Sequence, residues 1–328
     1  MRATIKSIAR DLNISHMTVS RALNGSPNVS EETRRVILAR ARELGYVKSS
    51  AANTMRGDRT AIVGLLLPNI INEFYAQFAN TLALLCAEHG LDVVIHLTSD
   101  DSEKEHQALL RLQGLQAAAV IMVPTSQAGL GDFPIPQSMM IIDLIRTREH
   151  PQPSDQLLLD DGPSIEAAVD RLVATGRRNI GFIGADASLS SGRGRFAAFR
   201  SALQRNGVEV DRRLVRTGQP SFNMGHDNAV SLLDSAVPPG ALVCGGFEIS
   251  NGALEACLEL GMQFPEGMAF VGYGDPPAYK WIAGGITTIS LSTDDIAQRA
   301  VAMILDSADE RSHSTGRSPT ALIVRKSA

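Results

Sequence analysis

Two sets of residues have types and spacings that could do chemistry. The first lies in HMTVSRALNG, His16 to Gly25, where His16, Met17, Ser20 and Arg21 alternate with the apolar Val19, Ala22 and Leu23. If Val19 and Leu23 face inward on a helix, the other four occupy its outer, N-terminal part. An arginine there can clasp the edge of a guanine with two hydrogen bonds, a histidine can donate or accept, and a methionine can touch a thymine methyl. The second set is spread along the rest of the chain. Asn69, Asp143, Gly246 and Asp275 fall at the ends of apolar runs, and Phe74, Tyr75 and Arg195 at the starts of the helical patterns that follow. In open α/β sheets, positions of that kind border a crevice for a small ligand.

Enzyme signatures are missing. No GxGxxG follows a strand, because SGRGRF has the wrong spacing, and GxxxxGK[ST], HExxH and GxSxG do not occur. The seven histidines are scattered, and Cys86, Cys244 and Cys257 lie inside apolar patterns without metal-ligand spacing. The expectation is a protein that is not an enzyme and needs no cofactor or metal, with buried, reduced thiols.

Charge divides the chain. Residues 1–59 hold 11 Lys/Arg against 5 acids, a charge of +6, which leaves −10 for residues 60–328 within a total of −4. A basic head on an acidic body suits a polyanionic partner for the head. No apolar run is long enough to span a membrane, and MRATIKSIARDL lacks the apolar stretch of a signal peptide, so a cytoplasmic location is expected.

The elements that would position the first set are short helices. Thr4 can cap one that buries Ile5, Ile8, Ala9 and Leu12, and Ser15 can cap a second that buries Val19, Ala22 and Leu23 and stops near Gly25. Ser30 can cap a third, with Glu31 and Glu32 in its first turn and Val36, Ile37, Ala41 and Leu44 buried. Three helices with a tight first turn match a helix-turn-helix arrangement. A bundle with a merely solvated face is the competing reading. KSSAANTMRGDR, Lys48 to Arg59, then offers roughly two turns of helix, too short to be stable alone. It reads as a hinge that orders only on docking.

Beyond Thr60 apolar strands alternate with amphipathic helices: AIVGLLLP, LDVVIHL, AAAVIMVP, MMIIDLI, QLLLD, IGFIGA, ALVCGG, MAFVGYG, TTISLS and TALIVRK. Such alternation implies parallel sheet with helices on both faces, enough for two lobes facing a cleft. The fold class expected is α/β, with a three-helix head (1–47), a hinge (48–59) and a two-lobed body (60–328).

From Thr4 to Tyr46 the sequence TIKSIARDLNISHMTVSRALNGSPNVSEETRRVILARARELGY resembles the LacI/GalR family of transcriptional regulators. The resemblance continues, more loosely, through VGLLLPNIINEFYA, ATGRRNIGFIG, RGRFAAFRSAL, VGYGDPP and ITTISLSTDDIAQRA. It implies a repressor-type regulator that binds double-stranded, palindromic operator DNA, with a body like the periplasmic sugar-binding proteins. On the family's DNA-contact positions fall Ser15, His16, Met17, Thr18, Ser20, Arg21 and Asn24, with Asn28 and Ser30 on backbone contacts. Met55 stands where the family's hinge inserts an apolar wedge into the minor groove.

By the same resemblance Arg195 matches an effector arginine, Asp143 an acidic cleft position, and Phe74 with Tyr75 an aromatic wall. Departures occur at Gly246 and Phe247, where Asn and Asp are usual, and at Gly274, where an Asp is usual; Pro220 replaces a frequent aromatic, with Phe222 two residues on. Loss of these hydroxyl-holding groups and the closeness of Arg193 to Arg195 turn the expectation from a neutral sugar towards a sugar acid or sugar phosphate. Arg193 could instead face solvent or pair with a nearby acid. A palindromic site calls for a homodimer, and the tail beyond Thr320 has no heptad run that would build a tetramer. An exported solute receptor would have no use for the basic head, and a nucleotide-dependent enzyme would need the missing glycine loop.

Overall fold

Capping residues start the helices of the N-terminal unit. In the structure, a computed structural model that describes residues 3–23, 25–46, 61–125, 139–148, 154–306 and 313–328, the chain separates into two compact units, residues 1–60 and 61–328. Asn24, Met55 and the hinge expected over 48–59 lie outside the described residues.

Helix α1 (Ile5–Asp11) opens with a capping box: the Ser7 amide donates to Thr4 Oγ1 at 3.1 Å, and the Thr4 amide donates to Ser7 Oγ at 2.9 Å. Asn13, at φ 52°, turns the chain. Ser15 Oγ then accepts from the Thr18 amide at 3.0 Å and starts α2 (His16–Leu23). Gly25, at φ +72°, follows its end. Ser30 caps α3 (Glu31–Glu43) through the Thr33 amide. Ile8, Ala9, Val19, Ala22, Val29, Ile37 and Ala41 form the core, with Leu12, Leu23 and Leu44 packed at its margin. Val36, expected inside, is 47% exposed. Ile37 and Ala41, one turn apart, define the buried row, and Val36 sits about 100° round the helix from it.

The second unit is doubly wound. Its strands are β1 (Ile62–Leu67), β2 (Asp92–Leu97), β3 (Ala119–Met122), β4 (Met140–Leu144), β5 (Asp155–Asp160), β6 (Ile180–Ala185), β7 (Val215–Gly218), β8 (Ala241–Gly245), β9 (Ala269–Tyr273), β10 (Thr287–Leu291) and β11 (Thr315–Ile323). The helices between them are α4 (Glu73–Glu88), α5 (Ser102–Gly114), α6 (Gly162–Ala174), α7 (Ser190–Arg205), α8 (Phe222–Leu233), α9 (Phe247–Glu259) and α10 (Thr293–Asp306). Hydrogen bonding runs in the order β2-β1-β3-β4-β5-β11-β10-β9-β8-β6-β7, parallel except between β10 and β11.

Strand β11 joins the lobes. Thr315 to Pro319 pair with β5 of the first lobe, from Gln156 to Asp160, and Thr320 to Ile323 pair antiparallel with β10 of the second, from Leu291 to Thr288. Pro319, which has no amide hydrogen to donate, sits at the handover. Four apolar layers cover the two faces of each lobe. In the first lobe Phe78, Leu82 and Ile296 pack on one face and Leu109 and Leu112 on the other. In the second, Phe182, Phe199 and Leu172 oppose Leu232, Ile249 and Phe270. Two glycines bring α8 and α9 together: a Cβ on Gly252 would lie 2.0 Å from the Phe222 carbonyl oxygen, and one on Gly225 would lie 2.1 Å from that of Ile249.

The three cysteines are buried and free. Burial pushes the Cys86 thiol up to about 11 and that of Cys257 up to about 12, so both stay protonated and unreactive near neutrality. None of the described helices is long and apolar enough to cross a membrane.

Candidate functional site

In the first unit α2 presents one face to its own core and the other outward. Val19 and Ala22 are fully packed, whereas Ser15, His16, Met17 and Arg21 are exposed, Met17 by 53%. Thr18 and Ser20 are half-buried, and Ser15 Oγ lies 2.8 Å from Thr18 Oγ1. Asn28 and Ser30 are exposed on the loop that enters α3.

Two of the head's arginines are taken up within it. Arg34 donates to the Ser26 carbonyl at 2.6 Å, and Arg40 binds Asp11 at 2.6 Å and Glu43 at 2.9 Å. These guanidiniums brace the three-helix unit. That of Arg21 accompanies His16 and Met17 on the outer face, where its paired N–H groups can meet a base edge or a phosphate.

In the second unit a cleft of about 630 Å³, part of it open solvent, lies at the carboxyl ends of the strands of both lobes. Phe74, Tyr75, Arg195 and Phe247, all expected at the site, line it. Pro220, noted as a departure from the family pattern, lines it too, and so do Asn72, Arg146, Ser191, Glu248 and Tyr273, which were not singled out from the sequence.

Arg195 rises from the second turn of α7 into a fixed setting. Its Nε donates to Asp161 Oδ2 at 2.5 Å, its Nη1 donates to the Gly245 carbonyl at 3.1 Å, and its Cζ sits 4.2 Å over the Tyr273 ring. Tyr273 Oη donates to the same Asp161 oxygen at 2.7 Å. Burial opposes charge on this guanidinium, but Asp161 more than offsets it and keeps Arg195 cationic. Burial also pushes Tyr75 up to about 12 and Tyr273 well above the ordinary phenol range, so both stay neutral.

On the first lobe Arg146, with only 6% of its side chain exposed, donates through Nη2 to Asp100 at 2.5 Å. Its Nε is buried and has no hydrogen-bond partner among the described residues. Glu248, in the first turn of α9, faces amide groups of Asn69 and Asn72 at 3.5 Å. Burial raises its carboxyl above the usual range.

Five expected residues lie off the cavity lining. Asn69 is closest in role, since its Oδ1 accepts from the Asn72 amide at 2.9 Å and its Nδ2 faces Glu248. Asp143 is wholly buried beneath the cleft, accepting from Ser154 Oγ at 2.9 Å and from the Arg148 amide at 3.3 Å. Arg193 is exposed, and its Nη1 donates to the carbonyls of Ala187 and Ser188. Asp275 is taken up by Arg325 in a two-pronged pair at 2.7 and 2.8 Å. Phe222 begins α8 at 38% exposure, and Pro220 reaches the cleft in its place. The cluster of Arg193 with Arg195 that favoured an anionic ligand is therefore absent.

Two departures from the family pattern prove to be one packing arrangement. Gly274 has φ +82°, and a Cβ there would stand 2.2 Å from Phe247 Cδ2. The ring at 247 fills space that a side chain at 274 would need.

Comparison with known proteins places this geometry. Residues 4–49 match the model of bacterial regulatory proteins of the lacI family, and residues 169–328 match a periplasmic binding protein-like domain. The chain is 26% identical over 306 residues to the HTH-type transcriptional regulator RegA of Clostridium saccharobutylicum, covering 93% of this chain and 92% of that protein. It is 26% identical over 319 residues to the HTH-type transcriptional repressor PurR of Escherichia coli O139:H28, covering 93% and 90%. In fold it is similar to the Lac repressor dimer bound to operator and the anti-inducer ONPF, with a TM-score of 0.84, 20% identity, and 100% and 99% of the two chains covered. The relatives are regulators rather than enzymes. With the head matched over residues 4–49 and the body matched over residues 169–328, the chain belongs to the LacI family of DNA-binding transcriptional regulators that carry an effector-binding domain.

Proposed function

We propose that this chain is a repressor that binds a palindromic operator as a homodimer and changes its grip when a small metabolite enters the cleft. The observation that carries this reading is the division of labour on α2. Val19 and Ala22 lock the helix to its core, and His16, Met17 and Arg21 face outward at its start. Ser15, Thr18, Ser20 and Asn24 complete the base-facing set, and Asn28 and Ser30 hold the phosphate backbone. Met55, on a hinge at 48–59 between a head at 1–47 and a body at 60–328, wedges into the minor groove at the operator centre.

Symmetry supports the dimer, because each recognition helix reads one half-site. The similar Lac repressor is a dimer on its operator. The effector is a sugar or a sugar acid or phosphate, held between Arg195 and Tyr273 on one lobe and Phe74, Tyr75 and Arg146 on the other. Strand β11, which pairs with β5 of one lobe and β10 of the other, ties closure of one lobe to the other. Coupling between the sites is about 1 to 3 kcal/mol, or roughly 5- to 150-fold in operator affinity.

Footprinting on the DNA upstream of the chain's own gene, with and without a panel of sugars and sugar derivatives, tests this. The expected result is a protected palindrome whose half-saturation point one compound shifts by that factor. A footprint that no compound moves would contradict control through the cleft.

A further inference from the structure

The cleft is short of free charge except at one place. Arg195 is held by Asp161 and Arg146 by Asp100, so each guanidinium brings its own counter-ion. Glu248 is the only carboxylate among the described lining residues, and no described cation pairs with it. Its neighbours are the side-chain amides of Asn69 and Asn72, all at 3.5 Å, the outer limit of a hydrogen bond. It therefore offers acceptor oxygens that the protein leaves weakly used. Arg146, whose side chain lines the same cleft, carries at Nε a buried donor with no acceptor among the described residues.

The acidic positions expected at the cleft from the sequence do not compete with Glu248. Phe247, packed over Gly274, has replaced one acidic position, and Asp275 is clamped by Arg325. Resting on the small-metabolite reading above, we propose that Glu248 is the effector-reading carboxylate and Arg146 Nε its complementary donor. The cleft then takes a ring with hydroxyl or amine donors and no negative charge, and turns away acid and phosphate derivatives. An anion would meet Glu248 with neither arginine free of its own acid. A donor-bearing ring would give Glu248 the short hydrogen bonds that the amides do not.

The same contact links binding to lobe movement. Asn69 and Asn72 lie between β1 and α4 in the first lobe, and Glu248 opens α9 in the second. A ligand that replaces the amides on Glu248 while taking the Arg146 Nε–H changes the bridge from a weak direct one to one made through itself.

Calorimetric titration of the full chain settles the matter, with a neutral sugar, its amino sugar, its uronic acid and its 6-phosphate as probes, against wild type, Glu248→Gln and Arg146→Lys. Wild type should bind the neutral or the amino sugar at least about 30-fold more tightly than either anion, and Glu248→Gln should bring that ratio within about 3-fold. If the amine is the partner, the amino sugar should lose most affinity in Glu248→Gln; if hydroxyls are, the neutral sugar should. Arg146→Lys keeps the charge but loses the fixed Nε–H, and should weaken the preferred sugar without restoring the anions. Preferential wild-type binding of an anion, an unchanged ratio in Glu248→Gln, or no binding by any probe would overturn the proposal. In those cases operator binding measured on the same samples tells whether the regulator reading itself survives.

Discussion

The head and the cleft use arginine in opposite ways. In the cleft, Arg195 and Arg146 are buried and each is fixed by an acid before any ligand arrives. On α2, Arg21 is exposed on the outer face of its helix. A buried guanidinium without a counter-charge would cost several kcal/mol, whereas an exposed one costs little until it meets a polyanion. The difference teaches that the cleft's arginines maintain a shape, as Arg34 and Arg40 do within the head, whereas Arg21 stands on an open helix face.

The largest effect should come from breaking the body's arrangement. Asp161→Asn would leave Arg195 charged and buried over Tyr273, and should lower unfolding free energy by about 3 kcal/mol or more in a denaturant titration. A loss below about 1 kcal/mol would mean that the pair is no more than a surface contact. Next, Gly274→Ala should cost about 1 to 3 kcal/mol, from positive φ and from collision with Phe247. Combining it with Phe247→Ala should return the collision part, a coupling of about 1 kcal/mol in a double-mutant cycle. Strict additivity would show that ring and glycine are independent.

Arg21→Ala sharpens the comparison from the other side. Operator binding should weaken by about 1 to 3 kcal/mol with relaxed preference at one base pair, while thermal stability stays as it was. A drop in melting temperature without a change in specificity would reverse the roles assigned here.

The smallest effect is expected at His226, on the surface between α8 and α9. Glu259, at 3.0 Å, and Asp227, at 3.1 Å, raise its affinity for a proton. A raised histidine contributes stability below its unfolded value that is lost as pH climbs through the folded one. His226→Gln should therefore lower the melting temperature slightly at about pH 5.5 and not at about pH 8. Equal shifts at both would remove the ion pair from the account.

What was legible follows the same division. The head could be read because its determinants are local: Thr4, Ser15 and Ser30 cap helices within three residues of themselves. Val36 misled because the buried row of α3 runs through Ile37 and Ala41, and Val36 lies about 100° round the helix from it. In the body the apolar runs gave the strands, but β7, Val215–Gly218, has too little apolar character to stand out. The opening half of β11, Thr315 to Pro319, is polar and owes its place to β5.

The cleft was legible only at its helix starts. Asp275 could not be told from a ligand-holding acid because Arg325, which clamps it, is 50 residues away. Asp143 looked like a cleft acid, although Arg148 and Ser154 draw it inward, and Arg146, two residues beyond β4, reaches the cavity instead. Glu248 passed as an ordinary first-turn acid, since nothing in its local sequence brings Asn69 and Asn72 to it.

The central claim is that α2 reads DNA sequence. Selection of bound duplexes from a randomised pool, run in parallel with wild type and Arg21→Ala, tests it directly. The account predicts that wild type enriches a palindrome with a preferred base at each recognition position and that the variant loses that preference at one position in each half-site. Enrichment of no sequence by wild type, or of the same sequence with the same stringency by both proteins, would contradict it.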